Sequence, residues 1–104
     1  MKIVMTTVSK LDEAELLSRS LVDNGYSPCV NMIENVSSVY FWKGKITRDQ
    51  EIILLIKTDI PENVKQFIEK EHPYETPEII FLEGEIPDSP YGTWFNEYFS
   101  VNRQ

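Results

Sequence analysis

The chain is poor in the residues from which most catalytic centres are built. It has 104 residues, with one cysteine, one histidine and four glycines. A single cysteine excludes an internal disulfide and any CxxC motif. The four glycines are isolated from one another, which excludes a glycine-rich phosphate loop. No nucleophile has a base near it in sequence, so the sequence predicts a protein that is not an enzyme.

Positive charge is also scarce. Ten lysines and arginines stand against 17 acidic residues, which gives a net charge of −7, and the ten cations are scattered along the chain. Nucleic acid binding needs a basic face, so we expect no nucleic acid partner. No apolar run approaches the length of a membrane span, and no signal peptide is predicted. A single cysteine suits a reducing compartment, so we expect a cytoplasmic protein with no membrane partner. Its length predicts a single domain over residues 1–104.

Hydrophobic periodicity and turn residues predict the order of the helices and strands. Ser9 is predicted as the N-cap of the first helix, and Asn24-Gly25 as the signal that ends it. Strands are predicted over 2–8, 27–42, 45–58 and 78–86, and helices over 11–23, from 61 to about 72, and from 90 onward. This order predicts an α+β fold, the ferredoxin-like split βαβ sandwich, with a long β2-β3 hairpin and an added C-terminal helix.

The second and third strands carry apolar residues on both faces. Val36, Tyr40 and Trp42 share one parity, Cys29 and Val39 share the other, and the run 52–56 is wholly apolar. An antiparallel sheet with one face in water should alternate instead. The pattern therefore predicts a homo-oligomer whose second subunit covers the other face. Tyr40, Trp42 and the later Trp94 are candidates for packing at or near subunit contacts.

The most distinctive segment is His72-Pro73-Tyr74-Glu75-Thr76-Pro77-Glu78-Ile79. Its prolines stiffen a helix-to-strand connection, which is one interpretation. The other is a divalent metal site, in which His72 supplies nitrogen and Glu71 or Glu75 supplies oxygen. A histidine at a helix C-terminus near carboxylates is expected to have a pKa above about 6.5. Cys29 is either a packed strand residue or an additional site.

Five motifs resemble those of the CutA family, in the same order, and the match extends over essentially the whole chain. They are Cys29-Val30-Asn31-Met32-Ile33, Ser38–Ile46, Lys57-Thr58, His72–Ile79 and Tyr91-Gly92-Thr93-Trp94. The resemblance implies a ferredoxin-like homotrimer, similar in architecture to the PII signalling proteins and connected with divalent-cation tolerance. Some relatives are described as binding copper through a first-strand cysteine and a His-His pair. Those positions here are Thr6 and Glu71-His72, so the resemblance implies no obligatory cofactor and at most weakly bound Cu(II) or another divalent cation.

A second hypothesis is a PII-like regulatory trimer that binds a small anionic metabolite or a protein in clefts between subunits. A cleft rich in cations would favour it, and the candidates are Lys43, Lys45, Arg48 and Lys57. A cleft rich in carboxylates would favour a metal cation instead.

Overall fold

Strands and helices follow one another in the predicted order. The computed structural model describes residues 1–101. The elements are β1 (Lys2–Val8), α1 (Leu11–Asp23), β2 (Cys29–Trp42), β3 (Lys45–Thr58), α2 (Pro61–Glu71), β4 (Ile80–Glu83) and α3 (Pro90–Val101). The N-cap of α1 is Lys10, without a side-chain hydrogen bond, so the prediction of Ser9 was wrong. The Ser9 hydroxyl instead lies 3.4 Å from the Glu13 carboxylate.

The four strands form one antiparallel sheet in the order β2-β3-β1-β4. β4 is shorter than the predicted 78–86 at both ends, because its pairing with β1 runs only from Met5–Ile80 to Lys2–Glu83. β2 begins two residues later than predicted, since Ser27 uses its side chain rather than its backbone to join β3. This is the strand order and direction of the ferredoxin-like fold that the sequence predicts.

The hydrophobic core lies between one face of the sheet and helices α1 and α2. Even-numbered residues of β1 and β3, such as Val4 and Ile56, lie opposite each other on this face and are fully buried. The helices contribute the side chains that recur at helical spacing: Ala14, Leu17, Leu21, Val64 and Ile68.

The hairpin of β2 and β3 extends well beyond the rest of the sheet. β1 pairs only with residues 52–58 of β3, so residues 36–51 form a two-stranded arm. Its tip is a turn in which Lys43 (φ 50°) and Gly44 (φ 79°) both have positive φ. Two successive residues of this kind are typical of the type I′ turn, whose twist matches that of a hairpin.

A β-bulge separates the arm from the body of β2. The pairing advances from Ile33–Ile53 to Val36–Glu51, so β2 holds one extra residue, and Asn35 there has φ 61°. A one-residue insertion moves the following side chains to the opposite face. Tyr40 and Trp42 therefore share the face of Cys29, and the expectation that they lie on the opposite face was wrong.

The sheet face opposite α1 and α2 is apolar, as the two-sided pattern predicts. We call it the open face; it carries Ile3, Met5, Ile33, Ile53, Leu55, Ile80 and Leu82. Several of these side chains are exposed, Ile33 and Leu82 among them.

Helix α3 packs at one end of the sheet. Its Tyr91 hydroxyl lies 3.3 Å from the Lys57 Nζ, and its Tyr98 hydroxyl donates a hydrogen bond to the Val22 carbonyl. Ser89 caps the helix, accepting a hydrogen bond from the Gly92 N–H at 3.0 Å.

Candidate functional site

His72 lies at the end of α2, where the residue is only 8 % exposed. Its Nδ1 accepts a hydrogen bond from the Tyr74 backbone N–H at 3.0 Å, so that nitrogen carries no proton. The proton is therefore on Nε2, which donates to the Thr7 carbonyl at 2.7 Å. The imidazole thus links the end of α2 to the end of β1 and shapes the loop that follows it. A metal ion at either nitrogen would have to displace one of these two hydrogen bonds.

Burial also decides how His72 titrates. It lowers the pKa of His72 below its ordinary value, although the hydrogen bond to Thr7 and the carboxylates of Glu13 and Glu51 act in the opposite direction. The expectation of a raised pKa was wrong. It considered the helix C-terminus and neighbouring carboxylates in sequence, but not the transfer of the ring out of water.

The two carboxylates proposed to join His72 lie in different places. Glu71 ends α2 and lines a groove formed with Tyr26 and Phe67, whereas Glu75 lines a groove against the arm. Within residues 1–101, no three His, Cys, Asp or Glu side chains come together in an arrangement that could hold a metal ion. A single chain therefore presents these residues as separate donors.

A groove of about 840 Å³ runs between the arm and the loop after His72, and we call it the arm groove. The arm contributes Tyr40, Trp42, Asp49 and Glu51, and the loop contributes Tyr74 and Glu75. The bulge described above brings Tyr40 and Trp42 to the same face as Asp49 and Glu51. The groove therefore combines aromatic rings with carboxylates.

Two tyrosine–carboxylate hydrogen bonds organise the arm groove. The Tyr74 hydroxyl donates to the Glu51 carboxylate at 3.0 Å, and the Tyr40 hydroxyl donates to Asp49. Burial raises the pKa of Tyr74 to about 12, with a further contribution from the hydrogen bond to Glu51. The hydrogen bond to Asp49 raises the pKa of Tyr40. Both hydroxyls therefore keep their protons at neutral pH and remain donors.

Sequence reasoning missed Asp49 and Glu51 as members of a site. They alternate along β3 just before the apolar run, a spacing that places both on one face of the strand. That signal was present, but nothing local indicated that the loop after α2 would close over the same face. The contact joins residues 23 positions apart.

Cys29 is half-buried at the beginning of β2. Its Sγ lies 3.7 Å from the Lys57 Nζ, and the same ammonium lies 5.6 Å from the centroid of the Tyr91 ring. Burial would lower the pKa of Lys57, but the hydrogen bond to Tyr91 and the contact with Cys29 outweigh it, and that pKa is raised. Cys29 pairs with Lys57, at the end of the sheet opposite the arm. His72 contacts Thr7, near the arm, so the two residues lie at different ends of the sheet.

The residues predicted to pack against other subunits are open to solvent in one chain. Tyr40, Trp42 and Trp94 are between 39 and 48 % exposed. In the part of the chain that the structure describes, no helix is both long enough and apolar enough to cross a membrane.

The structural class is a ferredoxin-like sheet with helices on one face and an extended two-stranded arm. Known proteins share this architecture. The model of the CutA1 divalent ion tolerance protein family matches residues 2–98. The divalent-cation tolerance protein CutA of Thermus thermophilus is 32 % identical over 92 % of this chain and 95 % of its own length. Mouse protein CutA is 36 % identical over 81 % of this chain, which spans about half of the mouse protein (49 %).

Solved structures agree with these matches. The crystal structure of CutA1 from Pyrococcus horikoshii is 33 % identical, with a TM-score of 0.85 over 94 % of this chain and 97 % of its own. CutA1 from Oryza sativa is 29 % identical, also with a TM-score of 0.85, over 93 % of this chain and 92 % of its own. The chain belongs to the CutA1 family of divalent ion tolerance proteins.

Proposed function

We propose that this protein is a non-catalytic, cytoplasmic homotrimer that acts in tolerance to divalent metal ions. The family match over residues 2–98 carries this proposal, because relatives across that length are named for divalent-cation tolerance and not for a reaction. The scarcity of nucleophile–base pairs in the sequence supports the absence of catalysis.

The apolar surface of one subunit supports the oligomer. The open face and the arm expose large side chains, including Phe41 at 72 % and Ile46 at 81 %. These two residues lie opposite each other in the hairpin. A two-stranded arm has no core of its own and is marginally stable in water. Packing against further copies of the chain would bury both surfaces.

Metal binding in this proposal is weak. Exposed carboxylates such as Glu71 and Glu75 are oxygen donors, and His72 supplies nitrogen only when one of its two ring hydrogen bonds, with Tyr74 or with Thr7, is broken. Cu(II), which accepts mixed nitrogen and oxygen ligands, suits this donor set better than Cu(I), which prefers sulfur. The energy of breaking a buried hydrogen bond lowers the affinity.

A Cu(II) titration by calorimetry tests this assignment. We expect His72→Gln and Glu75→Gln to weaken binding, while Glu62→Gln, which removes an exposed carboxylate at the far end of α2, leaves it unchanged. Equal affinity in all four proteins would remove His72 and Glu75 from any metal site.

The alternative is a PII-like regulatory trimer that binds a small metabolite or a protein partner between subunits. The arm groove is large enough for a metabolite. Its carboxylates disfavour an anion, and the four cations that would have favoured one do not line it. The metal-tolerance assignment therefore has the stronger support.

A further inference from the structure

We propose that the arm groove of one subunit receives the Lys57 ammonium of the neighbouring subunit, which pairs with the carboxylates of Asp49 and Glu51. This ion pair rests on the proposed function, since it needs the homotrimer, and it names the charged groups that each subunit brings to the interface.

One face of β3 carries opposite charges at its two ends. The residues that alternate along this face are Asp49, Glu51, Ile53, Leu55 and Lys57. The even-numbered residues from 52 to 58 are buried, so the alternating set lies on the open face and on its continuation into the arm. This face is acidic in the arm, apolar in the middle and basic where β3 ends.

Lys57 has no carboxylate partner in its own chain. Its ammonium lies 3.3 Å from the Tyr91 hydroxyl and 3.7 Å from the Cys29 Sγ, and the ion pairs within residues 1–101 do not include it. The residue is half-buried even in a single chain. A second copy that covers the open face would remove more water from this charge, and an unpaired charge is costly to bury. The covering subunit is therefore expected to supply a carboxylate.

The arm groove lacks the opposite charge. Its carboxylates are Asp49, Glu51, Glu75 and Glu78, and among the described residues that line it none is lysine or arginine. A tyrosine hydroxyl donates to Asp49 and another to Glu51, which holds these two carboxylates in place. A carboxylate has about four acceptor sites, so each can still accept hydrogen bonds from an ammonium group. Charge-assisted bonds of this kind are stronger than neutral ones.

The two charged ends cannot meet within one chain. Glu51 and Lys57 are six residues apart on one extended strand, which is about 20 Å at roughly 3.4 Å per residue. A cyclic trimer joins two different patches at each interface, so the arm of one subunit meets another part of the next subunit. The Lys57 end of the open face is the patch whose charge complements the arm groove, and complementary charge fixes the register of an interface.

A double-mutant cycle on the full-length protein tests this contact. Lys57→Met keeps most of the side chain and removes its charge, whereas Glu51→Gln and Asp49→Asn can still accept the tyrosine hydrogen bonds. The readout is the dissociation constant of the trimer, measured by sedimentation at a urea concentration that partly dissociates the native protein. We expect each single variant to dissociate more readily. Lys57→Met combined with at least one arm variant should dissociate about tenfold less than the two separate effects multiply to.

Non-additivity in this cycle reports contact between subunits. Residues about 20 Å apart in one chain have nearly additive effects, so coupling of Lys57 with the arm requires that they meet across an interface. Lys57→Met with Glu62→Gln is the matched control, because Glu62 is an exposed carboxylate on α2, and it should be additive. Additive effects in both arm cycles would overturn the proposal.

Carbodiimide coupling of the native protein is a second test, since it joins a carboxylate directly to an amine in contact with it. We expect a product in which two copies of the segment 49–57 are joined through Lys57 and either Asp49 or Glu51. Lys57→Arg keeps the positive charge but removes the amine, so this variant should remain a trimer without forming the product. Coupling of Lys57 only to carboxylates outside the arm, or to none, would contradict the proposal.

The two levels of the proposal fail separately. A native protein that sediments as a monomer refutes the homotrimer itself. A trimer that shows additive cycles refutes only the ion pair between Lys57 and the arm groove. Neither outcome depends on the Cu(II) titration, which concerns His72 and Glu75.

Discussion

At the scale of single residues, His72 shows what sequence can and cannot predict. The proline after it correctly indicates the end of α2, because that constraint is local. Its buried ring makes a hydrogen bond with the Thr7 carbonyl, 65 residues away, and no local pattern encodes that contact. The predicted direction of its pKa was therefore wrong, and its suitability as a metal ligand has to be judged from its hydrogen bonds.

The lowered pKa of His72 predicts a pH-dependent stability. The unfolded chain takes up the proton near pH 6.5, whereas the folded chain takes it up only at lower pH. The unfolded state therefore binds more protons between these two values, and the free energy of unfolding falls as the pH drops below about 6.5. We expect urea denaturation at pH 7.5 and pH 5 to show this loss.

His72→Gln isolates the contribution of the imidazole. A glutamine amide can still donate and accept a hydrogen bond but cannot take up a proton. The difference in unfolding free energy between the native protein and the variant should shrink as the pH falls from 7.5 to 5. A difference that is constant over this range would show that His72 does not titrate as described.

Ser27 is a second residue whose role the sequence did not reveal. It is fully buried, and its hydroxyl donates to the Lys57 carbonyl at 2.6 Å while accepting from the Cys29 N–H at 3.2 Å. Removing it leaves buried backbone groups without a partner. Ser27→Ala is expected to lower the free energy of unfolding by about 1–3 kcal/mol.

The control for Ser27 is Ser37→Ala. Ser37 also makes a hydrogen bond, with the Gln50 side chain, but it is exposed on the arm and water can replace its partner. Its substitution should change the unfolding free energy by no more than about 0.5 kcal/mol. Similar losses in both variants would mean that burial of the Ser27 bonds is unimportant.

At the scale of elements, local signals predicted most boundaries. β1, β3 and α1 match their predicted spans, since periodicity and turn residues define them within a few positions. β4 is shorter than predicted because its regular pairing with β1 is limited to Ile80–Glu83, and the bulge in β2 depends on pairing with β3. Both features depend on how two strands pair, which cannot be predicted from the sequence of one strand alone. The arm groove follows from the bulge, so it too was missed.

The turn at the tip of the arm gives an element-scale prediction. Gly44 has φ 79° and no heavy atom lies within 4 Å of where a Cβ would stand, so alanine there costs only backbone conformation. That cost is about 1–2 kcal/mol for a residue with a side chain in the left-handed region. Gly44→Ala should therefore lower the melting temperature.

Lys43→Asn, at the neighbouring position, is expected not to destabilise the turn. Lys43 has φ 50°, and asparagine tolerates this conformation better than lysine. The variant should equal or exceed the native melting temperature. If Gly44→Ala and Lys43→Asn have the same effect, the turn is not of the type I′ form in solution.

At the scale of the whole molecule, the sequence predicted that one subunit leaves apolar surface uncovered. The open face lies opposite the helices, and the whole subunit, with its projecting arm, measures 46 × 25 × 22 Å. The periodicity of β2 and β3 was sufficient for this inference, because apolar residues on both faces require cover on both faces. The assignment of individual residues to each face still required the bulge.

The last prediction concerns assembly. Sedimentation at micromolar concentration should show a trimer with no appreciable monomer, since contiguous exposed apolar surface of this kind marks an interface. The double variant Phe41→Glu/Ile46→Glu places two like charges opposite each other on the arm and should shift the protein toward smaller species. Leu16→Glu is the control, because Leu16 is likewise an exposed apolar residue (69 %) but belongs to α1 and not to the arm. A stable, folded monomer of the native chain would contradict the trimer, and a double variant that remains trimeric would place the interface on the open face instead of the arm.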